Sequence, residues 1–99
     1  MQEVSVFLDE DDVHEGMRMY EHIMRYLMHH DIMGATVFSA VGGYGHKHHL
    51  NLPKRIGATD EGPLMIVFID EEAKVAAVLP HIKEVLREGL IVTTHVDRV

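Results

Sequence analysis

The run Leu64-Met65-Ile66-Val67-Phe68-Ile69 limits what this chain can fold into more than any other stretch. Its β-branched and aromatic residues read as a strand, yet apolar and polar residues do not alternate along it. Such a strand needs apolar cover on both faces of its sheet. Glu3 to Leu8 reads as a first strand and also alternates poorly. Ala35 to Val41 and Leu90 to Val96 supply two more strands.

Two helical patterns lie between the strands. Met17, Tyr20, Ile23, Met24, Leu27 and Met28 recur at steps of three and four, which places them on one helix face. Asp9 to Asp12 forms an acidic turn ahead of this helix, and Gly34 is expected to end it. Asp70 is expected to cap the second helix, with Glu71 and Glu72 in its first turn. Val75, Val78, Leu79, Ile82 and Leu86 form its apolar stripe. Pro80 lies inside this helix, removes one backbone hydrogen bond and bends it, and Gly89 closes it.

The order β-α-β-β-α-β predicts an α+β, ferredoxin-like domain over residues 1–99, with an antiparallel four-stranded sheet and two helices on one face. Residues 42–62 read as a long loop. Helices on one face leave the other face of the sheet uncovered, and another subunit is its simplest cover. The sequence therefore predicts an oligomer.

Composition narrows the function. The formal charge is −7, from 9 basic and 16 acidic residues, which disfavours nucleic acid as a partner. The absence of cysteine excludes disulfides, thiolate nucleophiles and cysteine zinc sites. The apolar run from Pro63 to Ile69 is too short to span a bilayer, so direct membrane insertion is not expected. The first residues lack the pattern of a secretory signal, so a cytoplasmic protein is expected.

The most informative stretch is Gly42-Gly43-Tyr44-Gly45-His46-Lys47-His48-His49. Its glycines let the backbone turn sharply and approach a ligand, and exposed N–H groups in such a turn can hold an anion. Lys47, Lys54 and Arg55 add positive charge to an acidic chain. Together they suit a phosphate-bearing small molecule. The plainer reading is a solubilising loop. His46, His48 and His49 also suit a divalent metal, because imidazole binds zinc, copper and nickel. The carboxylates of residues 9–12 lack calcium-loop spacing and read as a helix-favouring turn. His22, His81 and His95 stand isolated along the chain and read as surface or interface residues. Ser5 and Ser39 lie within strands, outside any nucleophile elbow, so no catalytic residue is expected and no cofactor is required.

The chain resembles the uncharacterised PII-like signalling proteins along nearly its whole length. The resemblance rests on His14-Glu15-Gly16 near the first helix, Gly34-Ala35-Thr36-Val37, and Gly43-Tyr44-Gly45. It continues in Pro63 and Asp70 at the ends of the third strand and in Gly89-Leu90. Asn51 stands where many relatives carry histidine, so no role passes to it. The resemblance implies a homotrimer with sheets inside and helices outside. It implies adenine nucleotide binding (AMP, ADP or ATP) in clefts between subunits at the base of the 42–62 loop. Gly42, Gly43, Tyr44, Gly45, His46, Lys47, His48 and Arg55 are then the candidate contacts, with Arg87 and Arg98 as candidate phosphate ligands. It further implies that the loop engages a partner such as a membrane transporter or channel. A metal-binding trimer of the ion-tolerance type and a ligand-free adaptor are the alternatives.

Overall fold

A computed structural model of the chain describes residues 1–45, 48, 50, 52 and 62–99. Its main sheet contains β1 (Gln2–Asp9), β4 (Ala35–Ser39), β5 (Pro63–Asp70) and β6 (Leu90–His95). The helices are α1 (Met19–His29) and α2 (Glu72–Val85). A small hairpin, β2 (Val13–His14) and β3 (Met17–Arg18), precedes α1. The sheet order is β4-β5-β1-β6, and every neighbour is antiparallel. This is the expected α+β, ferredoxin-like arrangement.

The core lies between the sheet and the helices. Val4, Val6 and Leu8 of β1 and Leu64, Ile66 and Phe68 of β5 are buried. They meet Ile23 and Leu27 of α1 and Val75, Val78 and Ile82 of α2. Each fully buried aliphatic side chain of this size contributes about 1.5–3 kcal/mol through apolar burial.

Register places the alternate residues of these strands on the opposite face. Phe38, Met65, Phe7 and Leu90 fall in one cross-strand row, and Thr36, Val67, Ser5 and Val92 in the next. Phe7 is 41% exposed, Phe38 50% and Leu90 57%. The apolar second face required by the run 64–69 is therefore present, and nothing within the described chain covers it.

Three local expectations are corrected. The first helix begins at Met19, and Met17 belongs to β3. Between β2 and β3, Glu15 and Gly16 have φ of 49° and 82°, the paired positive values of a type I′ two-residue turn. The helix stop is Asp31, not Gly34. Asp31 takes the left-handed conformation at φ 63°, and the Ile32 N–H donates to the Leu27 carbonyl at 3.2 Å. That bond, with buried Ile32 against buried Leu27, is a Schellman stop.

Asp70 does not cap α2. Glu71 occupies the cap position, and Asp70 is the last residue of β5. Its carboxylate is 2% exposed. Oδ1 accepts the Glu71 N–H at 2.7 Å and Oδ2 accepts the Met33 N–H at 2.9 Å. The side chain thus ties the connection before β4 to the start of α2. Pro80 lies inside α2 and removes the bond that would reach the Ala76 carbonyl. Both residues are exposed, so water can solvate that carbonyl.

Candidate functional site

At the end of β4 the chain turns through Gly42 and Gly43 beside the start of β5. The Ala40 N–H donates to the Pro63 carbonyl at 2.9 Å, and the Glu10 N–H donates to the Gly62 carbonyl at 2.9 Å. These bonds hold both ends of the 42–62 segment against the same end of the sheet. Gly43 has φ of 149°, and a Cβ there would lie 3.7 Å from the Pro63 ring. The conformation, more than crowding, explains glycine at this position.

The turn opens onto a cavity of about 410 Å³. Tyr44, Gly45, Pro63 and Leu64 line one side, and Glu88, Gly89 and Leu90 line the other. Phe7, Leu8 and Asp9 form its floor. Tyr44 is 66% exposed, and its ring stacks on His48 with centroids 6.0 Å apart. The His48 N–H donates to the Gly45 carbonyl at 2.9 Å. Phe7 and Leu90 belong to the open apolar row, so the cavity lies at the border of the uncovered sheet face.

Gly89 is not among the ligand residues expected from the sequence, and its neighbours explain why glycine stands there. A Cβ would lie 2.6 Å from the Phe7 carbonyl oxygen and 3.0 Å from the Leu86 side chain. The backbone of Gly89 therefore sits directly on β1. Its place in a Gly-Leu pair opening the last strand was the available signal.

Arg87 falls on a neighbouring cleft of about 540 Å³, with Asp11, Asp12, His14 and Glu15. Glu88 lines both clefts. The turn glycines and Arg87 are thus adjacent but do not share one cavity. His46, Lys47, His49, Lys54 and Arg55 lie outside the described residues, as does Asn51. Asp9, Asp11 and Asp12 bring their carboxylates within 4.8 Å of one another. Asp12 Oδ2 accepts the Asp9 N–H at 3.1 Å, which suits the expected acidic turn.

A second cluster was not legible as one. His22 of α1 and His81 of α2 bring their Nε2 atoms to 3.0 Å. His14 of β2 stands against His22, with ring centroids 4.5 Å apart. Tyr26 stacks on both His81, at 4.1 Å, and His30, at 3.9 Å. Burial lowers the His22 pKa below its ordinary value. The neighbouring imidazoles of His14 and His81 lower it further, against a smaller opposing pull from Glu15.

Among the described residues, no helix is long and apolar enough to cross a membrane. A family profile described as DUF190, Uncharacterized ACR, matches residues 1–98. A UPF0166 protein from Aquifex aeolicus is 32% identical over 93% of this chain and 87% of its own length. Another, from Methanocaldococcus jannaschii, is 35% identical over 92% of this chain and 84% of its own length. Among solved structures, the fold resembles CPII, a nitrogen regulatory PII-like protein from Thiomonas intermedia K12, solved with ADP, AMP and bicarbonate. The TM-score is 0.70 at 16% identity, covering 94% of this chain and 82% of that one. A second structure of CPII, with ADP and bicarbonate, gives a TM-score of 0.67 at 16% identity over the same shares. At this identity the likeness concerns the PII-like fold.

Proposed function

The chain belongs to the uncharacterised DUF190 family, and from that premise we propose that it is a PII-like regulatory protein that binds an adenine nucleotide without catalysing a reaction. The observation that carries the reading is the cavity between Tyr44–Gly45 and Gly89. It lies at the base of the long loop and at the edge of a sheet face that needs a second copy. Support also comes from the shared fold with a protein solved with ADP and AMP.

In this reading three copies bury the row Phe38, Met65, Phe7 and Leu90, and each cavity is completed by the next subunit. Tyr44 offers an aromatic plane to the adenine ring. Lys47 and Arg55 supply the positive charge that phosphates need, since Asp9 and Glu88 give the described lining two carboxylates. The nucleotide biases the 42–62 loop between conformations by its difference in affinity for them. The loop passes that state to a protein partner of the transporter or channel class, a role supported by the resemblance to PII-like proteins.

Calorimetric titration of metal-free protein with AMP, ADP, ATP and cyclic AMP tests the ligand. Saturable binding near one site per chain is expected for at least one of them. Tyr44→Ala is expected to weaken it roughly tenfold or more, the scale of a lost base-on-aromatic stack. No heat from any nucleotide overturns the reading.

Light scattering tests the assembly separately. The wild type is expected at three chain masses. Phe38→Glu combined with Val92→Glu is expected to give a monomer with unchanged helix content, because both side chains point from the exposed sheet face. A monomeric wild type at micromolar concentration would remove the trimer.

A further inference from the structure

His22 and His81 are 59 residues apart in sequence, yet their Nε2 atoms meet at 3.0 Å. They come from different helices, so the approach is set by the fold. Both side chains are half-buried and remain open to solvent. Tyr26 stacks on the His81 ring with only 22° between the planes, which limits how that ring can turn. On the far side of His22, the β2–β3 hairpin brings His14 to a centroid distance of 4.5 Å. The Glu15 carboxylate lies 4.0 Å from His14 Nε2.

We propose that His22 and His81 form a two-imidazole site for a divalent transition metal of the zinc, copper and nickel class, with His14 as the adjacent third donor. Metal–imidazole bonds of about 2.0–2.1 Å at a tetrahedral angle place two nitrogens about 3.3 Å apart. The observed 3.0 Å lies within a few tenths of an ångström of that span. In the ion-free pair, one Nε2–H donates to the other Nε2. On metal binding the donor ring moves that proton to Nδ1, so both Nε2 lone pairs face the ion and no net proton is released from the neutral pair. The three imidazoles do not bring their nitrogens within 4.8 Å of one another as they stand, so His14 must turn about its side-chain bonds to supply a third nitrogen, and water completes the coordination. The site would bridge α1 and α2 on the helix layer, and it uses none of the loop histidines His46, His48 and His49.

The test uses the metal-stripped full chain titrated with Zn²⁺ and, separately, Cu²⁺. One ion per chain is expected at this site. His22→Asn and His81→Asn should each weaken Zn²⁺ at least tenfold, on the order of the loss seen when support for a metal ligand is removed. A variant with His46, His48 and His49 all changed to Asn should retain this affinity. In the wild type, Zn²⁺ should shift the ring proton resonances of His22 and His81 and leave those of His95 unmoved. That readout does not depend on the stability of any variant. Unchanged Zn²⁺ affinity in both pair variants, loss of binding in the loop variant, or ring resonances of the pair that stay fixed would each overturn the proposal.

Discussion

Asp70→Ala is expected to lower the unfolding free energy by about 2–4 kcal/mol, measured as a shift of the urea midpoint at unchanged slope. The carboxylate accepts N–H bonds from both Met33 and Glu71. Bonds to a charged acceptor contribute about 1.5–3 kcal/mol each, and partial exposure around Met33 discounts the pair. Against a typical total of about 5–15 kcal/mol, the loss is large. Asp70→Asn should fall between the two, because its amide can satisfy one N–H but places its own donors toward the other. The pH dependence has a definite sign. Burial pushes the Asp70 pKa up, but the N–H bonds from Met33 and Glu71 and the charge of Lys74 outweigh it and hold it below the ordinary 3.8. The unfolded chain therefore takes up this proton first as the solution is acidified. The contribution of Asp70 is complete above about pH 4 and disappears as pH falls through the folded value. Asp70→Asn should flatten that part of the acid unfolding profile.

Gly89→Ala is expected to cost about 1–3 kcal/mol and to weaken any ligand held in the cavity beside Tyr44. The added methyl would lie 2.6 Å from the Phe7 carbonyl oxygen, which belongs to a central strand and cannot swing away. The start of β6 must move instead, and Gly89 and Leu90 form one wall of the cavity. Gly34→Ala is the matched control. Nothing lies within 4 Å of a Cβ there and its φ is ordinary, so the change should be neutral or slightly stabilising. Equal effects from the two substitutions would mean that crowding against β1 is not what requires glycine at position 89.

The layer arrangement was readable because it is written in local periods. Val4, Val6 and Leu8 repeat every second residue, and Ile23 and Leu27 fall one turn apart, so each element reports its own buried side. The unbroken run 64–69 also reported the apolar second face. The hairpin Val13–Arg18 escaped because two-residue strands carry no period, and Met17 happens to fall in phase with α1. Asp31 was passed over for Gly34 because a left-handed stop at aspartate is set by the Leu27–Ile32 contact. Asp70 looked like a cap because its second partner, Met33, is distant in sequence. The His22–His81 contact has no counterpart in any spacing, since it exists only once both helices are laid on the sheet. Of the candidate ligand residues, Tyr44 and Gly45 line a cavity, while Arg87 faces the next one.

The strand order has a consequence for how the chain acquires this form. β1 is emitted first, but its two neighbours are β5 and β6, and Gln2 pairs with both Asp70 and His95. The sheet cannot gain its central β1–β5 ladder until β5 is available, nor cover the other side of β1 until the last strand is. During synthesis α1 and β4 must wait without their main partner, and loop closure over most of the chain precedes the contacts that reward it. Refolding should be slow for a chain of this length. Truncation before β6 should leave the backbone edge of β1 unpaired and open to chaperones or to aggregation.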